Sequence, residues 1–225
     1  NTGIDYTNAI RKITQSQKLS YMIAEQGRAQ VNTNELLNYV IEHILTYNKS
    51  FGENSIDAMA GYSFQHIERS GYNQQAGFFT TDKIDYIYQM QEGDAAYRQV
   101  SSYANTPEEL QSFFGRINYN YNEKYLITAT IRRDGSSKFG TNHKYGNFPS
   151  LAAGWRLSQE DFIKNLNIFS NLKLRLGWGM TGNSEIGADN STFLLKPDPA
   201  SAAIINSVPV TGFAIDKTPQ PNLHW

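Results

Sequence analysis

The stretch Leu172–Asn183, LKLRLGWGMTGN, decides between two very different folds. Gly177, Gly179 and Gly182 spell G-x-G-x-x-G, the fingerprint of a dinucleotide-binding turn, which needs a strand before the glycines and a helix opening directly after them. The following residues, NSEIGADNSTF, carry no apolar helical period, so no βαβ unit can be drawn there. The residues leading in alternate instead. Leu172, Leu174, Leu176, Trp178 and Met180 share one side, and Lys173, Arg175, Gly177 and Gly179 share the other. This is a long strand with one oily face and one polar or bare face. The glycine fingerprint is coincidental, and the two glycines belong where a missing side chain lets another segment approach closely.

The same rule recurs along the chain. Leu37, Tyr39, Ile41, His43, Leu45 and Tyr47 oppose Asn38, Glu42 and Thr46, and Ile56, Ala58, Ala60, Tyr62 and Phe64 oppose Asp57, Met59, Gly61 and Ser63. Phe113, Gly115, Ile117, Tyr119 and Tyr121 oppose Arg116, Asn118 and Asn120. After NEK, Tyr125, Ile127, Ala129 and Ile131 oppose Thr128, Thr130 and Arg132. Leu151, Ala153, Trp155 and Leu157 then oppose Ala152, Gly154 and Arg156. KLSYMIAEQ is a weaker additional strand signal. Short connections (NKSFGENS, NEK) and a moderate one (158–171) alternate with long polar ones at 65–111, 134–147 and 181–221. That rhythm predicts an antiparallel meander with its long loops at one end. Two connections carry helix-start signals. TPEEL has Thr106 as cap and Pro107 at the first position, and SQEDFI has Ser158 and Asp161 in capping-box spacing.

Composition narrows the class. The chain has 225 residues, a formal net charge of -1 and no cysteine. A near-neutral chain has no bulk charge with which to hold nucleic acid. Without cysteine there are no disulfides and no thiolate sites, which suits a protein crossing an oxidising compartment. No apolar run exceeds four residues, so a transmembrane helix is excluded. The mean hydropathy of -0.52 is uninformative about transmembrane strands, which carry only alternate apolar residues. No initiator Met or signal peptide is present, and the chain reads as a piece of a longer one. Alternation also fits a soluble β-sandwich with its polar face in water, such as a carbohydrate-binding or adhesin-like module. Strands of roughly ten residues match the ~9–11 that cross a bilayer at a tilt. Tyr62, Tyr119, Tyr121, Tyr125 and Trp178 gather towards strand ends, as interfacial girdles require.

Three stretches sharpen this. GRINYNYNEKYLITATIRRDGSSKFGTNHKYGNFPSLAAGWRLSQEDFI (Gly115–Ile163), NLKLRLGWGMTGN (Asn171–Asn183) and PNLHW (Pro221–Trp225) resemble the SusC/RagA family of TonB-linked outer-membrane transporters of Bacteroidetes, and LTYNKSFGENSIDAMAGYSFQ (Leu45–Gln65) resembles an earlier hairpin of that family. The resemblance implies an all-β fold, an antiparallel meander forming part of a large barrel of about 22 strands in the bacterial outer membrane. Residues 36–225 would be barrel strands and loops. Residues 1–35 carry no motif that places them and are expected to hold an earlier barrel strand and loop. The resemblance also implies import of oligosaccharides or peptides, a plug domain and a TonB-engaging segment outside this chain, a SusD-like surface lipoprotein as partner, and outer-membrane lipid around the wall.

Chemistry elsewhere is sparse. Arg132, Arg133 and Lys138 in RRDGSSKFG could form an anion site, but Asp134-Gly135 reads as the start of a surface loop whose basic residues pair with acids. Glu108 and Glu109, or Glu160 and Asp161, are adjacent on their predicted helices and so do not face each other as an acid/base pair. His43, His66, His143 and His224 lack ligand spacing, so no metal site is expected. No nucleophile motif, cofactor site or catalytic residue is expected either. The loop aromatics Tyr72, Phe78, Phe79, Tyr86, Tyr88 and Tyr97 remain. Their rings can stack on a sugar or a partner, or pack the loop upon itself.

Overall fold

The computed structural model describes every residue except Ile23, Asn167, Ala188, Asp189, Thr192, Asn206 and Ser207. Its elements are β1 (Thr2–Gln15), β2 (Arg28–Phe51), β3 (Asn54–Gly77), β4 (Gln99–Ala104), β5 (Glu108–Tyr121), β6 (Tyr125–Ser136), β7 (Tyr145–Arg156), α1 (Asp161–Lys164), β8 (Lys173–Gly179), β9 (Leu194–Ile205) and β10 (Val208–Lys217). The sheet runs β1-β2-β3-β5-β6-β7-β8 in order, with β4 also on β3, while β9 and β10 pair as a separate antiparallel ribbon. The expected all-β meander is therefore present. The turn from β5 to β6 is tight because Asn122 and Glu123 both take left-handed backbone angles (φ 49° and 51°), whose twist matches that of the flanking strands.

The chain packs as two compact units. The first comprises Gly3–Tyr39 and His66–Pro107. Its core is Ala29, Ala76, Phe79 and Tyr86, backed by Ile84, Ile87 and Met90. Gly27, at φ 87°, passes under the Tyr86 ring so closely that a Cβ would stand 2.6 Å from Tyr86 Cε2. The second comprises Asn1–Thr2, Val40–Gln65 and Glu108–Trp225. Its sheet is one layer thick over β5–β8, and large apolar side chains stay open on one face, Leu151 at 54% and Leu176 at 69%. Burying that face is what a sandwich would do. Among the described residues nothing covers it.

Several expectations change. β2 and β3 are each 24 residues long, far beyond the predicted length, because RAQVNTNE and HIERSGYNQQAG continue the ladder with mostly polar side chains. The predicted 65–111 loop thus shrinks to residues 78–98 plus a short link after β4. The described residues of KLSYMIAEQ form turns and a 3-10 segment at Ser20–Met22 rather than a strand, and the additional strand is β1, within the residues left unplaced. TPEEL opens β5 directly, without a helix. In SQEDFI a 3-10 turn, Leu157–Gln159, precedes α1, and Glu160 occupies the cap position without a side-chain cap bond. Asp134 and Gly135 lie inside β6, and the predicted 181–221 loop contains β9 and β10. No helix among the described residues is long and apolar enough to cross a membrane, which leaves strands untested.

Candidate functional site

Directly opposed residues of an antiparallel ladder share a face, so the register sorts the wall into rows. Tyr121, Tyr125, Trp155 and Leu174 form one row, followed by Tyr119, Ile127, Ala153 and Leu176, then Ile117, Ala129, Leu151 and Trp178. Gly115, Ile131 and Pro149 come next, and Phe113, Arg133 and Asn147 close the series. From Tyr125 to Arg133 the strand rises about 26 Å at ~3.3 Å per residue. At a tilt of ~40° this is about 20 Å along the normal, close to the ~25 Å apolar band of a membrane barrel.

Both margins of the band are aromatic. Tyr121, Tyr125 and Trp155 stack in sequence with ring centroids 6.3 and 6.2 Å apart. At the far margin Tyr62 and Phe113 meet at 5.1 Å, and the Arg133 guanidinium lies over Tyr145 at 5.0 Å. Trp178 is a correction, since its row neighbour Leu151 places it mid-band rather than in a girdle.

The first girdle is tied to the following turn by Glu160. Tyr125 Oη and Trp155 Nε1 donate to Glu160 Oε1 at 2.8 and 3.0 Å, and Lys124 Nζ donates to Oε2 at 3.1 Å. The indole N–H, then the phenol, then the ammonium hold the Glu160 carboxyl below the ordinary carboxylate range. A depressed pKa makes this contribution full above the usual Glu value (about 4.3) and lost as pH falls through the lower folded value. Thermal melts of the full-length protein in vesicles are therefore expected to lose stability on acidification below that range, and Glu160→Gln is expected to lack this component. A Glu160→Gln profile identical to wild type would refute the role. The sequence offered Glu160 only as a first-turn acid, because its partners lie up to 36 residues away.

The opposite face is polar and cationic. It carries Arg116, Asn118, Thr128, Thr130, Arg132, Ser150, Arg156, Lys173 and Arg175, with Gly177 and Gly179 bare. Ala152 lies no closer than ordinary contact distance to a Cβ built at Gly177. The suspected anion site is spent on acids. Arg132 Nε donates to both Asp134 oxygens at 2.7 and 2.8 Å, its Nη2 donates to Ser112 Oγ at 3.0 Å, and Lys138 pairs with Glu108 at 2.8 Å. Arg133 points to the apolar face.

Beyond β6 the distant motifs converge. The Gly140 amide donates to the Leu223 carbonyl at 3.0 Å, Trp225 Nε1 donates to the Lys144 carbonyl at 3.0 Å, and Asn142 Nδ2 donates to Asn222 Oδ1 at 3.1 Å. Phe139, 1% exposed, packs 4.6 Å from the Trp225 ring, which meets Phe148 edge-on at 5.4 Å. A Cβ on Gly140 would collide with the Pro221 backbone. SSKFG, FPS and PNLHW are one structure, a loop clasping residues 221–225. The same docking brings His143 and His224, remote in sequence, to 5.8 Å, although no group of three metal-ligating side chains exists among the described residues.

The loop aromatics divide. Phe79 and Tyr86 stack at 4.1 Å inside the core of their unit, leaving no face for a ligand. Phe78 stacks on Tyr97 at 3.8 Å. Tyr88 is 71% exposed, with Lys12 Nζ 4.6 Å from its ring centre, and Tyr72 is 53% exposed on β3.

A single-layer meander with an apolar face bounded by the Tyr121–Tyr125–Trp155 girdle at one margin and by Tyr62, Phe113 and Tyr145 at the other, and a polar face behind it, defines a segment of a transmembrane β-barrel wall. The family description "TonB dependent receptor-like, beta-barrel" matches residues 2–225, and the chain belongs to that family. TonB-dependent receptor P3 of Formosa agariphila is 39% identical over 203 residues, covering 88% of this chain and 19% of the relative. TonB-dependent receptor SusC of Bacteroides thetaiotaomicron is 44% identical over 143 residues, covering 64% of this chain and 14% of the relative. The structure of the RagAB peptide transporter superposes over 100% of this chain and 24% of its own with a TM-score of 0.84 at 23% identity, a likeness of fold. The chain thus spans about a fifth or less of the length of these two relatives.

Proposed function

We propose that this chain is wall and loops of an outer-membrane importer that takes up oligosaccharides or peptides with energy supplied through TonB. The observation that carries the reading is the apolar band set in register between two margins that carry aromatic rings, with every cation of β5–β8 except Arg133, at the far margin, on the opposite, lumen-facing side. Residues 36–225 contribute barrel strands and loops, and residues 1–35 an earlier strand and loop. The plug and the TonB-engaging segment belong to the rest of the protein, and a SusD-like lipoprotein covers the barrel mouth. Tyr72, Phe78, Tyr88 and Tyr97 keep ring surface for substrate or lipoprotein. The family is one of receptors and transporters, and no catalytic step is assigned.

Sidedness tests the reading. Outer-membrane barrels keep long loops outside and short turns in the periplasm. Cysteine introduced at exposed Ser101 or Thr141 is expected to react with an impermeant maleimide on intact cells, and cysteine at exposed Glu53 or Glu123 is expected to stay unlabelled. Asp189, a third candidate by sequence, lies outside the described residues. The reverse labelling pattern would overturn the topology.

A further inference from the structure

The clasp between residues 137–144 and 221–225 sets two imidazoles against each other. His143 and His224 are both exposed, with ring centres 5.8 Å apart and planes inclined at 62°. Hydrogen bonds bracket the pair on both sides. Just before it, the Asn142 backbone N–H donates to the Pro221 carbonyl at 3.4 Å, and Asn142 Nδ2 donates to Asn222 Oδ1 at 3.1 Å. Just after it, Trp225 Nε1 donates to the Lys144 carbonyl at 3.0 Å. The two backbones are therefore held where the rings leave them. His224 Nδ1 also lies 3.1 Å from the Asn222 carbonyl. A carbonyl only accepts, so Nδ1 carries the proton, and Nε2 of the neutral ring keeps its lone pair. A ring oriented by a backbone carbonyl through its other N–H is the usual state of a metal-bound histidine.

We infer that His143 and His224 together bind one divalent ion of the late first-row transition metals, such as Zn2+ or Cu2+, across the clasp. With Zn–N bonds of about 2.0–2.1 Å and each ring centre about 1.1 Å beyond its nitrogen, two imidazoles on one tetrahedral ion stand about 5.1 Å apart. The 5.8 Å separation exceeds this by about 0.7 Å, which small rotations of two exposed side chains close. Donor chemistry selects the occupant. Neutral imidazole nitrogens suit Zn2+, Cu2+ and Ni2+, whereas Ca2+ and Mg2+ require several oxygens. Two protein ligands are fewer than the three of a catalytic zinc site or the four of a structural one. Binding is therefore exchangeable, and the other coordination positions go to water or to a donor on a bound molecule. The ion joins residue 143 to residue 224, so by mass action it stabilises the clasped state.

The test uses the full-length protein in detergent, stripped of metal by a chelator and titrated with Cu2+ alone. Wild type is expected to take up one equivalent whose electron paramagnetic resonance shows two imidazole nitrogens. His143→Gln and His224→Gln are each expected to weaken that equivalent at least tenfold and to lose the two-nitrogen signature. His43→Gln, on β2 and outside the clasp, is expected to match wild type. Both clasp histidines are exposed, so neither substitution removes buried packing, and heat-modifiable mobility read on the same samples checks the fold. Zn2+ is expected to slow hydrogen exchange at the Gly140 amide, which donates to the Leu223 carbonyl, in wild type and in neither variant. Undiminished Cu2+ binding in either folded variant would overturn the inference, and so would Gly140 exchange unmoved by Zn2+ in wild type.

Discussion

Leu151→Arg in the full-length protein is expected to cost about 2–4 kcal/mol of folding stability in lipid vesicles, the range for a cation at the midplane of a barrel's lipid face. Leu151 is chosen by its row. It stands with Ala129 and Trp178 halfway between the Tyr125–Trp155 girdle and the Arg133–Asn147 row. Alternation alone makes Leu174 and Leu176 equivalent to it, but the register separates them. Leu174 shares the girdle row with Trp155 and Leu176 lies one row inward. An arginine at 174 can extend its stem to the interface, so Leu174→Arg is expected to cost only about 0–1 kcal/mol, as near-interface sites do, with Leu176→Arg between. Arg175→Leu, on the opposite face, is expected to be nearly neutral for stability. Denaturant titration of the four variants in vesicles reads the gradient. A larger cost for Arg175→Leu than for Leu151→Arg would place the faces the wrong way round, and a flat series would mean that this wall does not cross a bilayer.

How much of this was legible in the sequence depended on whether a residue's partner was implied by local pattern. The faces of β5 to β8 were legible because a strand with one oily side has a period of two, and a one-residue slip would reverse every side chain. The 24-residue strands were not. Before Leu36 and after Ile67 their side chains are mostly polar, with scattered apolar residues such as Val31 and Ala76 that do not alternate, so backbone pairing between two such segments leaves little hydrophobic signature. The aromatic surplus at 72–97 was visible, yet its division was not. Phe79 and Tyr86 are buried because Gly27 and Ala76 leave room for their rings, and the approach of residues 27 and 86 is set by the tertiary fold. Glu160 misled for a related reason. Its position before α1 suggested a helix-end charge, whereas its side chain turns back to the girdle.

The second large effect is expected at the clasp. Phe139 is fully buried against Trp225, and Gly140 lies flush against the Pro221 backbone, so the loop 137–144 and the segment 221–225 stand or fall together. Phe139→Ala removes the side chain that fills the space under the indole, a change that costs about 3–5 kcal/mol where the site cannot collapse. Gly140→Val adds bulk where backbone already stands, and overpacking costs typically about 1–3 kcal/mol. Neither residue belongs to the membrane band, so the barrel wall is expected to survive both changes with wild-type heat-modifiable mobility. The loss is local. Hydrogen exchange on the full-length protein is expected to show the Gly140 amide, which donates to the Leu223 carbonyl, losing protection in both variants. The Ile127 and Ala153 amides, in the β6–β7 ladder, are expected to keep theirs. Trp225→Phe separates packing from hydrogen bonding, since it keeps a ring beside Phe139 and removes only the indole bond to the Lys144 carbonyl. It is expected to cost about 1 kcal/mol, the usual net worth of one hydrogen bond. Unchanged Gly140 protection in Phe139→Ala would mean that the wall holds residues 221–225 without the aromatic clasp. Loss of Ile127 protection would instead mean that the loop and the wall unfold as one unit.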